Sequence, residues 1–346
     1  MKQKVRFSDI AFFSAACLFF SLVEYSIPKP LPFLRIGLSN IPILAALKKY
    51  TLKEVFLITL FKIFFQAVIS GTFFSYVFIF SLTGSFASVF AMILFYKLCK
   101  ENISYLGLSI LGSMANALAQ IACSFLIVFG KNTVFIAPIL LTSSLITGTL
   151  LGVFSESFCS ISEWYSFYCG NLSPSLPENM GTNVNKGVQI FAFFRFIVGI
   201  IILPIFLFLK NIYALWTIVL IFLLLNCILR KGKIKIVPSI LVCITVTFFA
   251  LLSPSGKVLL TIGHFKVTDS ALYIGLRRSA VLCGSVFISQ FAISRDLPLR
   301  GKIATYLKLV LSFFKELTAS QISLKKSPLK NIDLHLIKCW VGINLF

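Results

Sequence analysis

Apolar runs long enough to cross a bilayer recur along the chain, and short polar loops separate them. Nine runs have about this length: residues 8–27, 53–70, 75–97, 103–129, 134–159, 187–209, 212–229, 236–252 and 270–293. A transmembrane helix needs about 20 consecutive, predominantly apolar residues. The pattern therefore predicts a bundle of membrane-spanning helices.

A shorter apolar run, residues 36–47, contains Pro42 and follows the first long run. If this run also crosses, the loops rich in Lys and Arg all fall on one side: residues 1–6, 48–53, 97–100, 230–235 and 295–302. The opposite loops hold isolated cations such as Lys131 and Lys257. Because Lys and Arg concentrate in cytoplasmic loops, the alternation predicts ten crossings with both termini cytoplasmic. A run this short can also be a tilted or re-entrant helix, provided that protein covers its backbone.

The composition supports a membrane protein. The chain is 58% hydrophobic and 12% charged, with a mean hydropathy of +0.96, whereas soluble domains are about 45–50% apolar and about 25% charged. We therefore predict an all-α, polytopic protein of the inner (cytoplasmic) membrane, with about ten transmembrane helices and membrane lipid as its surroundings. The net charge of +21 does not indicate nucleic-acid binding, because the basic residues lie mostly between the apolar runs.

The distribution of polar residues divides the chain into four segments. Residues 1–160 form a six-span block, residues 161–189 a polar cytoplasmic linker, residues 190–294 a four-span block, and residues 295–346 a basic cytoplasmic tail. Within the tail, the segment IATYLKLVLSFFKEL predicts an amphipathic helix. Its predicted apolar face comprises Ile303, Leu307, Val310, Leu311 and Phe314. Such a helix can lie on anionic lipid or dock into a groove on a cytoplasmic partner, and we favour the partner.

Polar side chains inside apolar runs are expensive in a membrane, so each is a candidate for function. Lys62 and Gln66 share one face of their helix, and Asn116 and Gln120 repeat that spacing in another. The Lys62 ammonium could attract an anionic group of a ligand, and the side-chain amides, including that of Asn40, could orient the ligand. The structural alternatives are pairing of Lys62 with a carboxylate or a carbonyl group, and helix packing through the amides.

Two further residues complete the set of candidate binding residues. A glycine pair in another run indicates helix packing. Glu24, near the end of the first run, and Thr72, just after the run at residues 53–70, are candidates; Glu24 can also be a hydrated interfacial carboxylate. Gly148 and Gly152 form a small-xxx-small pattern that predicts close helix packing.

The sequence lacks the residue clusters that several enzyme classes need. The four aspartates are scattered, so no acidic platform for magnesium diphosphate is predicted. No phosphate-binding Gly-x-x-x-x-Gly-Lys loop occurs, and nine scattered cysteines with two histidines predict no metal site. We therefore predict no catalytic residues, no metal and no cofactor, which argues against catalysis by this chain alone.

Three stretches of the first block carry a family resemblance. They are PLPFLRIGLSNIPILAAL at residues 30–47, GTFFSYVFIFSLTG at 71–84 and SILGSMANALAQ at 109–120. Residues 8–160 resemble the family labelled heptaprenyl diphosphate synthase component I, also called the Gx transporter family. Its members are similar to the six-helix substrate-binding S components of energy-coupling factor transporters. The resemblance implies either a transport module or a non-catalytic subunit that partners a prenyl diphosphate synthase.

The second block is similar to the T component of the same transporters over residues 190–330, through GKVLLTIGHFKVTDSALYIGLRRSAVL at 256–282. Together the two resemblances imply an importer: a ligand-capturing module fused to a scaffold that cytoplasmic ATPase subunits drive. This is the function that the sequence favours, and the synthase subunit is the alternative.

Overall fold

The structure of the chain is a computed structural model that describes residues 2–26, 37–99, 103–169, 174–175, 186–229, 236–253, 256–262, 265–293, 302–319 and 328–341. The helices are α1 Lys2–Ser26, α2 Ile41–Leu47, α3 Leu52–Ser70, α4 Tyr76–Cys99, α5 Tyr105–Cys123, α6 Thr133–Ile161, α7 Lys186–Phe208, α8 Ile212–Leu229, α9 Val237–Leu251, α10 Asp269–Ala292, α11 Lys302–Ala319 and α12 Pro328–Val341. Two strands, β1 Val258–Ile262 and β2 Phe265–Thr268, form an antiparallel hairpin between α9 and α10.

The predicted all-α membrane class is confirmed. Within the described residues, seven helical segments are long and apolar enough to cross a membrane: Phe7–Glu24, Tyr76–Cys99, Tyr105–Val128, Gly130–Ile161, Gln189–Phe208, Ile212–Leu229 and Asp269–Ala292. Leu38–Leu47 and Val237–Leu251 are apolar but shorter, and α3 carries three charged residues. Ten crossings, and the side on which the termini lie, therefore remain predictions.

The short α2 returns antiparallel to α1. At one end of the pair, the Glu24 carboxylate of α1 accepts hydrogen bonds from the backbone N–H groups of Gly37 and Leu38, both at 3.1 Å. At the other end, the Tyr50 hydroxyl donates to Asp9 of α1 at 3.2 Å. All seven residues of α2 are buried, so protein covers its backbone, as a short intramembrane helix requires.

Small residues bring α4, α5 and α6 into close contact. A Cβ added to Gly152 would lie 2.7 Å from the Cα of Leu106, and the Ser109 hydroxyl donates to the carbonyl oxygen of Gly148 at 2.7 Å. Gly148 and Gly152 therefore pack α6 against α5, as the small-xxx-small pattern predicted.

The second block is organised around α10. Gly275 of α10 lies against Thr247 of α9, and Gly284 lies against the ring of Phe206 in α7. The Asn226 side chain of α8 donates to the carbonyl oxygen of Phe287 in α10 at 2.8 Å. These contacts make α10 the buried centre on which α7, α8 and α9 pack.

The helices α11 and α12 pack on α1, the helix at the other end of the sequence. Phe12 of α1 contacts Phe313 of α11 at a ring-centroid distance of 5.5 Å and Trp340 of α12 at 4.7 Å. The predicted amphipathic helix is present, but its buried apolar residues are Tyr306, Val310, Phe313 and Leu317, whereas Leu307 and Phe314 of the predicted face are only partly buried. The side chain of Ile303 lies outside the described residues. The apolar face is thus rotated relative to the predicted one, because large aromatic residues at 306 and 313 fit against α1. The tail covers the chain's own first helix.

The predicted linker, residues 161–189, is only partly within the described residues. After Ser162 the chain forms a π-helical turn, Trp164–Tyr168. The Asp333 carboxylate of α12 accepts hydrogen bonds from the backbone N–H groups of Glu163 at 3.0 Å and of Trp164 at 3.1 Å. This part of the linker is therefore tied to the tail by a helix-capping carboxylate.

Candidate functional site

Lys62 is buried in the middle of α3, with only 3% of its surface exposed. Its ammonium nitrogen lies 2.6 Å from the amide oxygen of Asn40. Gly37, at a φ of +88°, starts the short 3-10 turn Leu38–Asn40 that brings Asn40 to this position. A charge-assisted hydrogen bond of this length is among the stronger ones in proteins, and it joins two of the predicted binding residues.

Asn40 lines a small polar cleft between α2, α4, α5 and α6. Asn116 of α5 lines the same cleft. Hydroxyl groups supply most of the remaining polar lining: Ser88, Ser109, Ser113, Ser144 and Thr147. Amide and hydroxyl groups in an otherwise apolar bundle can hydrogen-bond a small polar ligand. We therefore take this cleft, with Lys62 behind Asn40, as the candidate site.

Asn116 and Gln120 form one hydrogen-bonded pair but face two different cavities. The Gln120 amide nitrogen donates to the Asn116 amide oxygen at 3.1 Å. Asn116 lines the polar cleft, and Gln120 lines a separate cavity between the two blocks. A Cβ added to Gly84 would lie 2.1 Å from the Asn116 oxygen, so only glycine lets α4 approach this pair.

The other predicted binding residues do not line the cleft. Glu24 is 7% exposed and caps the turn at Gly37 and Leu38, which is a structural use of its charge. Thr72 belongs to the turn after α3, where its hydroxyl lies 2.8 Å from that of Ser70. Gln66 is half-buried one helical turn beyond Lys62, and its backbone carbonyl oxygen accepts from Ser70 at 2.6 Å.

The hydroxyl groups of the cleft were not among the residues predicted from the sequence. Ser109 and Ser113 are spaced i, i+4, and Ser144 and Thr147 are spaced i, i+3, so each pair shares a helix face. That spacing was the available signal. It was weak because serine and threonine in membrane helices often bond their own backbone, as Ser113 does with the carbonyl oxygen of Ile110 at 3.0 Å.

A second buried polar cluster, around Tyr50, Asp9 and Cys169, lies at the opposite end of α2. Burial raises the pKa of the Cys169 thiol to about 12, and burial also raises the pKa of the Tyr50 hydroxyl far above its usual range. Both groups therefore stay protonated near neutral pH. Among the described residues, no group of three or more His, Cys, Asp or Glu side chains could hold a metal ion.

The first block is similar to a known protein family. Residues 13–158 match the family described as heptaprenyl diphosphate synthase component I, in agreement with the resemblance at residues 8–160. Residues 192–295 match a domain of unknown function, DUF8519, which gives no support to the T-component resemblance. No curated protein and no solved structure matches the chain.

Proposed function

We propose that this chain is a membrane-embedded, non-catalytic component of a heptaprenyl diphosphate synthase. The observation that carries the proposal is the match of residues 13–158 to the component I family. Synthesis of a prenyl diphosphate needs magnesium held by clustered carboxylates. In the described part of the chain, Asp269 and Asp333 instead accept hydrogen bonds from backbone N–H groups. In this proposal a separate soluble subunit carries out the chemistry.

The membrane component gives the synthase access to the bilayer. A growing isoprenoid chain is stabilised by about 0.8 kcal/mol for each CH₂-sized group that leaves water. A catalytic subunit held at the membrane can release its product directly into lipid. The predicted cytoplasmic side carries exposed lysines, including Lys53 and Lys97, which would attract an acidic partner or a diphosphate.

Co-purification with the soluble prenyl synthase subunit of the same cell tests the proposal. We expect the full chain to retain that subunit, and membranes containing both proteins to make longer-chain diphosphates than the soluble subunit alone. The double variant Lys53→Glu/Lys97→Glu should lower the recovery several-fold at low salt, because exposed charges act mainly through long-range attraction. Lys131→Glu/Lys257→Glu makes the same charge change at exposed positions of the opposite loops and should have no effect. Absence of co-purification and an unchanged product length would together overturn the proposal.

The polar cleft favours a second candidate function, capture of a small, anionic ligand by the first block. Its support is the buried Lys62 ammonium bonded to Asn40, on the cleft wall. In this proposal the block acts as the ligand-binding module of an importer, which is the function that the sequence favoured. Retention of an ATPase subunit by the purified chain, together with ligand uptake that depends on ATP, would support this candidate over the synthase component.

A further inference from the structure

The strand β1 exposes three consecutive apolar side chains. Val258 is 50% exposed, Leu259 61% and Leu260 56%. Successive residues of a strand point to opposite faces, so a strand with one face in water alternates apolar and polar side chains. Both faces of β1 carry apolar residues instead. The hairpin β1–β2 therefore presents an apolar surface that the described residues leave exposed.

A β-bulge lies at these apolar residues. Val258 pairs with Thr268 and Leu260 with Val267, so Leu259 is an extra residue between two successive pairs. Bulges re-aim side chains and are over-represented at the edges of sheets. The bulge thus breaks the regular alternation of the strand where its apolar side chains project.

The base of the hairpin is fixed to α10. The backbone N–H of Lys257 donates to the Asp269 carboxylate at 3.0 Å, and the backbone N–H of Asp269 donates to the carbonyl oxygen of Lys257 at 3.0 Å. Gly256, at a φ of +91°, precedes this contact, and a Cβ there would collide with the Asp269 carboxylate. The apolar residues of β1 are therefore held at one level relative to the helices.

The lengths of the flanking helices set that level. α9 has 15 residues and spans about 22 Å at 1.5 Å per residue, which is less than the hydrocarbon core of about 30 Å. α10 has 24 residues and spans about 36 Å. The basic segment at residues 230–235 precedes α9, and Lys and Arg stay at the interface. With this segment at one interface, α9 ends short of the other, and the hairpin follows at membrane depth.

Exposed tyrosines lie at the same end of the second block. Tyr213, at the start of α8, is 81% exposed, and Tyr273, in the first turns of α10, is also exposed. The Tyr273 hydroxyl donates to the carbonyl oxygen of Lys210 at 3.4 Å, so the loop between α7 and α8 lies beside the start of α10. Because Tyr concentrates at the membrane–water interface, these side chains indicate that the hairpin starts at an interface.

We propose that the β1–β2 hairpin inserts the side chains of Val258, Leu259 and Leu260 into the lipid leaflet at this end of the bundle. The apolar surface continues the lipid-exposed faces of its neighbours, which include Phe248 of α9 and Ile274 of α10. This continuity favours lipid as the partner. The proposal does not depend on the proposed function.

The backbone of the hairpin limits the depth of insertion. A two-stranded sheet has unpaired N–H and C=O groups along both edges, and open sheet edges do not occur within the hydrocarbon region. The strands therefore lie at the level of the headgroups, and only the side chains reach the acyl chains. The exposed Lys257 beside them suits anionic headgroups. The inserted side chains cover acyl chains at the level where the short α9 has already ended.

Spin-label accessibility in lipid nanodiscs tests the insertion. Nitroxide labels are attached singly to Leu259→Cys and Leu260→Cys in the full chain. The exposed and half-buried native cysteines are replaced by Ser in this background: Cys99, Cys159, Cys227 and Cys243. We expect molecular oxygen, which partitions into lipid, to relax both labels more than a water-soluble nickel chelate does.

Two controls set the scale of accessibility. A label on Ile244→Cys, on the exposed face of α9, reports lipid. A label on Lys131→Cys, at an exposed position, reports water at the same end of the bundle, because the neighbouring Asn132 donates to the carbonyl oxygen of Phe249 in α9 at 2.7 Å. The labels at 259 and 260 should favour oxygen over nickel several-fold more strongly than the label at 131.

Either of two outcomes would overturn the proposal. Nickel accessibility at 259 and 260 equal to that at 131 would place the hairpin in water. Low accessibility to both oxygen and nickel would show that a protein surface covers the hairpin. Dipolar broadening between labels on two chains would then identify that surface as a second copy of this chain.

A pair of double variants tests whether the leucines drive the insertion. In Leu259→Asn/Leu260→Asn, a label on Val258→Cys should become several-fold more accessible to nickel, because polar side chains at 259 and 260 favour water over lipid. Leu259→Met/Leu260→Met keeps the surface apolar and should leave the accessibility unchanged. All variants should stay monodisperse, since the substituted side chains are exposed. Equal nickel accessibility in the Asn and Met variants would contradict insertion by these two leucines.

Discussion

The hydroxyl group of Tyr306 in α11 donates a hydrogen bond to the carbonyl oxygen of Phe7 in α1, 3.0 Å away and 299 positions earlier in the sequence. The Tyr306 ring also stacks on Phe61 of α3 at 4.3 Å between centroids. The tail helix is thus part of the core of the first block rather than a free cytoplasmic arm.

Removing an aromatic side chain of α11 should destabilise the first block. Phe313 is fully buried against Phe12, and replacing a buried Phe by Ala costs about 3–5 kcal/mol. We expect Phe313→Ala to lower the melting temperature in detergent by several degrees. Lys315→Ala, on the exposed face of the same helix, is the control. An unchanged melting temperature for Phe313→Ala would show that α11 does not pack on α1.

Loss of the Glu24 carboxylate should weaken the junction of α1 and α2. Hydrogen bonds to charged groups contribute about 1.5–3 kcal/mol each, and Glu24 accepts two from Gly37 and Leu38. Glu24→Ala should therefore lower thermal stability more than Glu24→Gln, which keeps one acceptor oxygen. Glu163→Ala, at an exposed carboxylate, should have no effect. Equal melting temperatures for the Ala and Gln variants would contradict the capping role.

Replacing Lys62 distinguishes a ligand-binding role of this residue from a structural one. If the polar cleft captures an anionic ligand, Lys62→Met should weaken binding by about 2–5 kcal/mol, because it removes a buried charge partner, while the protein stays monodisperse. The readout is ligand affinity beside a size-exclusion profile. Aggregation of the variant would assign Lys62 to the structure instead, and normal affinity in a folded variant would exclude the cleft as the site.

Acid should loosen the contact between α11 and α12. Burial lowers the pKa of His335 from its usual 6.5, against the opposing hydrogen bond to the carbonyl oxygen of Leu317 at 3.0 Å. The unfolded chain therefore binds this proton more readily, so stability falls as pH drops below about 6.5 and is unaffected by this group above it. His335→Gln should flatten the dependence of melting temperature on pH between about 6.5 and 5. The same slope of melting temperature against pH in the wild-type protein and in His335→Gln would rule out His335 as the origin of the pH dependence.

Cysteine labelling tests the ten crossings. Cysteines placed at exposed positions 131 and 53 in a Cys99→Ser background should react differently with an impermeant maleimide. We expect position 131 to react in intact cells and position 53 only after permeabilisation, because Lys and Arg gather on the inner side. The reverse pattern would place both termini outside, and equal reactivity would remove one of the intervening crossings.

The helices were predictable because long apolar runs carry a strong signal. The nine long runs match α1 and α3 to α10, with the bounds of α8 reproduced and the others shifted by a few residues, as at the start of α1. The run at 36–47 corresponds to the turn at Leu38–Asn40 followed by α2. These elements follow from local composition, which one sequence supplies.

Features that depend on distant contacts were not predictable. The β1–β2 hairpin lies between two apolar runs, where the pattern predicts only a loop, and α12 has too few apolar residues to be predicted as a membrane helix. The polar cleft is lined by residues of four helices, and no local sequence pattern predicts which helices pack against one another. The face of α11 was misjudged for the same reason, since its partner lies almost 300 positions away. Lys62 and Asn40 were both proposed, yet only the structure puts them 2.6 Å apart.

The packing of α11 and α12 on α1 has a consequence for synthesis of the protein. A ribosome makes α1 well before α11 and α12, so Phe12 has no partners on those two helices until they have been translated. During that interval lipid or a chaperone has to cover the aromatic face of α1. Premature stop codons after α10 should therefore yield a polypeptide whose spans insert but whose α1 keeps its aromatic face uncovered. We expect membrane proteases to degrade this polypeptide.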